Sequence, residues 1–244
     1  MDELSPMPED WSRALAVVAH PDDLEYGAAA AIAVWTDAGR DVRYLLVTRG
    51  EAGIDGMAPA QCGPLRADEQ RAAAAIVGVP VVEFLDHPDG MIEEGLALRR
   101  DLAAAFRRHQ PELLITVNHR DGWTPSGGGG WNMADHRVVG RAVLDAAADA
   151  GNRWIFPELA EQGLDPWTGV RWVAVANSPL ATHAVDVTDG LERAIASLEA
   201  HAAYLRGLGD HPMADARAFL TFLAEQGRAR FGGRPAVAFE LFSR

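Results

Sequence analysis

Two rhythms of apolar and polar positions alternate along this chain. Leu15 to Val18, Val42 to Thr48, Val81 to Leu85 and Leu113 to Val117 are short apolar runs of the kind that form buried strands. Between them lie stretches with the composition or spacing of helices: Gly27 to Asp37, stopped by Gly39, and Leu65 to Val77, stopped by Gly78. Leu96 to His109 carries Leu98, Leu102 and Phe106 four residues apart, and Asp135 to Ala150 carries Val138, Val139, Ala142, Val143 and Ala146 on one face. Arg49 to Gly63 and Asn118 to Asn132 read as loops. The alternation predicts an α/β fold, Rossmann-like, with a mainly parallel sheet flanked by helices. In the last third, Val170 to Ala176, Ala184 to Val187 and Val237 to Phe242 read as strands, and Leu191 to Leu205 and Phe219 to Arg230 as helices. No linker or repeat interrupts the chain, so residues 1–244 read as a single domain whose last third completes the sheet.

Composition narrows the partners. With 244 residues and a 48% hydrophobic share, the chain can bury a proper core, and only the first ten residues look disordered. Lys+Arg 22 against Asp+Glu 35 gives 22 − 35 = −13, which argues against a nucleic-acid groove or an anionic membrane surface. The single cysteine, Cys62, excludes an intrachain disulfide and reads as a passive thiol. The acidic start Met1-Asp2-Glu3-Leu4-Ser5 lacks the form of a signal peptide, and no stretch of about 18 apolar residues suggests a membrane span. A cytoplasmic protein acting on a small molecule is the expectation; homo-oligomerisation stays open.

The chemistry begins where the first strand stops. Ala19-His20-Pro21-Asp22-Asp23-Leu24-Glu25 puts an imidazole and carboxylates at a strand's carboxyl end, where open α/β sheets bind ligands. Histidine and aspartate ligate zinc and similar ions, and a catalytic zinc takes three protein ligands and keeps one position open. His119, after the fourth strand, and His136, opening the next helix, belong to the same edge. Asp135 is placed to orient an imidazole. The bland alternatives are helix caps for Asp22, Asp23 and Asp135 and a surface pair for Arg66 and Glu69. Trp123 and Trp131 flank Gly127-Gly128-Gly129-Gly130; they read as an aromatic wall for a sugar or other substrate, with the glycines giving a mobile loop over the site. A dinucleotide site is excluded by the missing GxGxxG fingerprint. His87, His109 and His211 read as solvated or locally bonded, and His201 as a core or interface histidine.

These residues resemble a known family. Ala19-His20-Pro21-Asp22-Asp23-Leu24-Glu25 is similar to the signature of the PIG-L (LmbE-like) N-acetylglucosaminyl deacetylases. Asp135-His136 before Val138-Val139-Gly140 resembles its second motif, Arg66-Ala67-Asp68-Glu69 its Arg-x-x-Glu helix, and Asp89-Gly90 another recurring element. The resemblance spans the chain to about residue 150. It implies His20, Asp23 and His136 as metal ligands, Asp22 as general base and Arg66 as a substrate-side residue. The implied activity is hydrolysis of an N-acyl group, most simply N-acetyl, from an amino sugar or related metabolite. The implied cofactor is Zn²⁺, with Fe²⁺ or another divalent ion also suited to His₂Asp ligation. A cation of this kind acidifies bound water and polarises a carbonyl, and a nearby carboxylate can take the proton.

One position departs. The family's second motif usually reads His-Pro-Asp-His; here it is Met133-Ala134-Asp135-His136. A thioether neither donates a proton nor holds an oxyanion. Three readings follow: another histidine substitutes, with His119 and His183 as the favoured candidates and His201 a third; Asp22 serves as both base and acid; or the chain is a non-catalytic relative that retains the metal site.

Overall fold

The computed structural model describes residues 3–127 and 129–244. In chain order it forms β1 (Ser5–Pro6), β2 (Arg13–Val18), α1 (Asp23–Gly27), α2 (Ala29–Asp37), β3 (Asp41–Leu46), α3 (Pro59–Ile76), β4 (Val82–Phe84), α4 (Leu96–His109), β5 (Leu113–Val117), α5 (Ala134–Asp149), α6 (Glu158–Glu161), β6 (Trp172–Ala176), β7 (His183–Asp186), α7 (Leu191–Glu199), α8 (Ala202–Gly207), α9 (Ala216–Arg228) and β8 (Ala236–Ser243). One eight-stranded sheet has the order β1-β7-β8-β6-β5-β2-β3-β4. Among the strands of the described residues only β8 runs antiparallel to its neighbours, pairing Trp172 with Ser243 and His183 with Phe239.

Both faces of the sheet are covered, and β2 shows how one short run serves two cores. Side chains alternate across a strand. Ala14, Ala16 and Val18 enter one apolar cluster with Ile32, Ile195, Leu198 and Leu220, under α2, α7 and α9. Leu15 and Val17 enter the other with Leu98, Leu102, Phe106, Val139 and Val143, under α4 and α5. Burying such a side chain stabilises the fold by about 1.5–3 kcal/mol; Leu102→Ala, at a fully buried position, would cost about 2–5 kcal/mol.

Several boundaries depart from the sequence reading. The first residues include β1, paired with β7 through Ser5 and His183. The stretch expected as a loop to Gly63 already turns helical at Pro59, which occupies the first turn where a missing N–H costs nothing. The helix expected over Leu191 to Leu205 breaks at His201, whose backbone leaves helical values (φ −78°, ψ 50°). Among the described residues no helix is long and apolar enough to cross a membrane. Of the glycine run Gly127–Gly130, Gly128 lies outside the described residues, as do Met1 and Asp2.

Candidate metal centre

The carboxyl ends of β2, β3 and β5 converge on one polar cluster. Beyond β2, the strand end is pinned by Thr48, whose amide and hydroxyl both bond the Ala19 carbonyl, at 3.0 and 2.9 Å. His20 follows. Its Nε2 lies 3.1 Å from Asp135 and 3.1 Å from Asp89, while its Nδ1 side faces Asp23 at 3.6 Å. Asp135 opens α5, accepts the amides of Gly90 at 2.8 Å and Ile92 at 3.2 Å, and so ties the loop after β4 to the imidazole. Asp89 is held by the Ala52 amide at 2.8 Å. Carboxylates that fix the far nitrogen of an imidazole leave its near nitrogen free as a donor.

Asp23 bridges the two histidines. One carboxylate oxygen accepts the His20 amide at 2.9 Å and the other lies 2.9 Å from His136 Nε2. That last contact lacks hydrogen-bond geometry, and neither ring nitrogen of His136 has a hydrogen-bond partner among the described residues. The His20 and His136 rings stand 5.3 Å apart. Donor atoms of His20, Asp23 and His136 all lie within 4.8 Å of one another, compact enough for one cation. Zinc-type bonds are about 2.0–2.2 Å long. Two imidazole nitrogens, one of them on a ring with no hydrogen-bond partner among the described residues, and one carboxylate fit a divalent ion of that kind. His20 with Asp89 and Asp135 forms a second such trio, but both carboxylates meet the same nitrogen, so His20 uses that nitrogen as a donor to them.

Asp22 points elsewhere because of its backbone. Its φ of 81° is in the left-handed region, uncommon for a residue other than glycine. Its amide donates to Gln70 Oε1 at 2.9 Å and its carboxylate accepts Arg66 at 2.8 Å. Arg66 also donates to the carbonyls of Pro21 and Gly50, at 2.7 and 3.1 Å. Glycine at 50 and 53 leaves room for it, since a Cβ at either would collide with the guanidinium. The Tyr204 ring covers it at 4.4 Å.

Burial and partners set the protonation. Burial pushes the Asp22 carboxyl up to about 6, against the opposing pull of Arg66. Burial also raises Asp23, but His136 and His20 outweigh it and hold Asp23 well below the usual carboxylate range. For His20, burial favours the neutral ring, yet the carboxylates of Asp135 and Asp23 carry the balance and raise it well above the ordinary value.

The structure brings together His20, Asp22, Asp23, Asp135 and His136, and sets other expected residues apart. Arg66, expected on the substrate side, is 2% exposed and stands behind Asp22. His119 follows β5 but turns under α5, with its Cβ packed where Gly140 has none and its ring 6.1 Å from Phe242. His183 opens β7, level through Phe239 with Ala176 at the end of β6, and bonds Thr182 at 2.9 Å. Neither histidine joins the cluster: His119 packs against Gly140 and Phe242, and His183 stands on β7, four strands from β2 in the order β7-β8-β6-β5-β2. Trp123 and Trp131 are 39% and 73% exposed; their loop is closed by a Gly122–Trp131 bridge, and the Arg137 guanidinium lies 4.8 Å over the Trp131 ring. Met133 precedes α5 and is 55% exposed.

Sequence reasoning missed Gln70, and it read Glu25 only as the end of the first motif and His201 as a core or interface histidine or a third substitute for the absent one. Gln70, Glu25 and His201 are buried polar residues with no shared motif. Gln70 lies four residues after Arg66, one helical turn along the same face. Glu25 is an acid in an otherwise uncharged, buried stretch, Leu24 to Ala31. Those were the available signals.

Known proteins share this arrangement of chain. The family model described as PIG-L, GlcNAc-PI de-N-acetylase, matches residues 15–147. A diacetylchitobiose deacetylase of Thermococcus kodakarensis is 28% identical over 194 residues, 79% of this chain and 70% of the relative. A 1D-myo-inositol 2-acetamido-2-deoxy-alpha-D-glucopyranoside deacetylase of Kineococcus radiotolerans is 30% identical, covering 78% of this chain and 68% of the relative. In three dimensions, the N,N'-diacetylchitobiose deacetylase of Pyrococcus horikoshii superposes with a TM-score of 0.83 at 23% identity, over 96% of this chain and 85% of that one.

Proposed function

This chain belongs to the PIG-L family of de-N-acetylases, and we propose that it is a zinc-type amidohydrolase that removes an N-acyl group, N-acetyl in the first instance, from an amino sugar or a related small metabolite. The observation that carries the proposal is the division of labour at the Asp22–Asp23 peptide: Asp23 lies between two imidazoles, while Asp22 turns away from them. His20, Asp23 and His136 would hold the ion. Zn²⁺ suits the donor set, and Fe²⁺ is the nearest alternative. When bound, the ion supplies a Lewis acid for the acyl carbonyl and makes water more acidic.

The remaining work falls to the chain. Asp22 takes one proton from the attacking water. The water oxygen bonds the acyl carbon, the C–N bond breaks, and the proton held by Asp22 goes to the departing amine nitrogen. The products are an amine and a carboxylic acid. Asp22 serves as both base and acid in this scheme because Met133 offers no proton and neither His119 nor His183 joins the cluster. Arg66 holds the Asp22 carboxylate in place, and Trp131 and Trp123 offer ring faces for a sugar. The amino-sugar reading is supported by the names of the relatives above.

The test strips metal by chelation, restores Zn²⁺ or Fe²⁺, and measures acetate release from N-acetylglucosamine, diacetylchitobiose and the inositol-linked N-acetylglucosaminide. Metal-dependent release from at least one is expected. Stoichiometric metal with no turnover across a broad N-acyl panel would sink the enzyme reading and leave a metal-retaining binding protein, the alternative that Met133 keeps open.

A further inference from the structure

Gln70 is fully buried on α3 and holds two groups at once. Its Oε1 accepts the Asp22 amide at 2.9 Å, and its Nε2 donates to Glu25 Oε1 at 3.0 Å. Glu25 Oε1 also faces the Ser197 hydroxyl at 3.3 Å, and Glu25 Oε2 lies 3.5 Å from His201 Nε2. Glu25 is 1% exposed and Gln70, Ser197 and His201 are fully buried. The metal cluster uses none of them.

The orientation of the Gln70 amide follows from this chain. A carboxylate only accepts hydrogen bonds, so Glu25 takes the NH₂ end of Gln70 and turns the carbonyl end toward Asp22. The carbonyl then meets the amide of Asp22, a residue other than glycine whose backbone is in the left-handed region. That conformation sends the Asp23 carboxylate toward His20 and His136 and the Asp22 carboxylate toward Arg66. Without an acceptor for its amide, nothing in the Gln70 side chain would oppose relaxation of residue 22 toward negative φ, which would re-aim both carboxylates.

We propose that Gln70 is a positioning residue: through the Asp22 N–H it holds the Asp22–Asp23 peptide so that one carboxylate faces the metal position and the other the reacting water. Glu25 orients Gln70, and His201 backs Glu25. The catalytic half of this statement rests on the proposed deacetylase reading; the geometric half does not.

Three variants separate the parts. Gln70→Met keeps length and volume but makes neither hydrogen bond. Gln70→Glu keeps the acceptor and loses the donor, setting two carboxylates together. Gln70→Glu with Glu25→Gln exchanges donor and acceptor at unchanged net charge. Three measurements are made on the full chain: Zn²⁺ affinity by titration of chelated protein, exchange of the Asp22 amide by NMR on metal-free protein, and kcat and KM for acetate release. Gln70→Met is expected to weaken Zn²⁺ about tenfold, the lower end for outer-sphere partners of metal ligands. Its Asp22 amide exchanges faster, and kcat falls about tenfold with KM nearly unchanged, the split expected when only the chemical step is disturbed. The double variant recovers all three, with Gln70→Glu between.

Unchanged affinity, exchange and kcat in Gln70→Met overturn the proposal. So does a double variant that stays as impaired as Gln70→Glu, because the loss then belongs to general packing. Should Gln70→Met not fold, the comparison of Gln70→Glu with the double variant decides with the same sign. If the wild type hydrolyses no N-acyl compound, the proposed function fails, while affinity and amide exchange still decide the geometric claim.

Discussion

On one side of the Asp22–Asp23 peptide, Asp23 faces His20 and His136, with Asp89 and Asp135 behind them. On the other, Asp22 faces Arg66, with Gln70, Glu25 and His201 behind. The first side gathers carboxylates around two imidazoles, and among the described residues the His136 nitrogens have no hydrogen-bond partner; on the second side Glu25 Oε2 and the His201 nitrogens are likewise without one. A buried polar atom in that state costs about 1–3 kcal/mol, and on the proposed reading a cation would relieve it at one His136 nitrogen. The second side satisfies both the amide and the carboxylate of Asp22 from within the chain. One half of the site thus groups donor atoms around a single cation-sized position, and the other fixes the Asp22 amide and carboxylate on Gln70 and Arg66.

The sharpest way to break this comparison is to remove a group from the first side. His136→Ala should lose the metal and lower kcat/KM about 10³-fold, roughly 4 kcal/mol of barrier; metal content by elemental analysis and acetate release check it, and an active, metal-free variant would contradict it. Asp22→Asn should lower kcat about 10²–10³-fold while metal content stays at the wild-type level. Loss of the metal as well would mean that the two sides are not separable. Asp135→Ala should weaken Zn²⁺ affinity about 10–100-fold, measured by competition with a chromogenic chelator, because His20 then keeps only Asp89 of the two carboxylates at its far nitrogen.

A smaller effect concerns pH. Burial favours neutral His201, but the Glu25 carboxylate and, farther off, Asp22 outweigh it, with Arg66 opposing, so the folded protein holds this proton above the ordinary 6.5. A raised folded value stabilises fully below the unfolded value and fades as pH climbs through the folded one. In urea unfolding of metal-free protein, the lead of wild type over His201→Gln should be largest below pH 6.5 and shrink above it; a lead growing with pH would reverse the assignment. The smallest expected effects are those of His119→Ala and His183→Ala, whose kcat/KM should stay within about twofold of wild type, under roughly 0.5 kcal/mol. A tenfold loss in either would place that histidine in the reaction after all.

How much of this was legible depended on distance along the chain. Leu96–His109 and Leu113–Val117 are read from sequence with the observed ends, because four-residue apolar spacing and a short unbroken apolar run each point to one element. That His20, Asp23 and His136 come together was legible through their motifs. The direction of β8 was not, since side-chain alternation is the same for either orientation. Nor was the partner of Asp135: it stands beside His136 in sequence but bonds His20, 115 residues away. Gln70 and His201 are 45 and 176 residues from Glu25 (70 − 25 and 201 − 25), and no local pattern carries such a pairing. His119 was misplaced for a related reason: strand order locates a residue at an edge, whereas packing against Gly140 and Phe242 decides where its ring points.

The left-handed turn at position 22 has a consequence for which amino acids that position can accept. Its backbone favours glycine, with asparagine and aspartate the side chains most readily admitted. The proposed chemistry asks for a group that can carry a proton away. Glycine answers the first demand, glutamate only the second, and aspartate lies in the small overlap. Asparagine fits the same bend with nearly the same shape and cannot take the proton. Position 22 is therefore where the backbone's vocabulary and the reaction's vocabulary share one word, and a change of a single atom there can silence the reaction while leaving the fold able to read it.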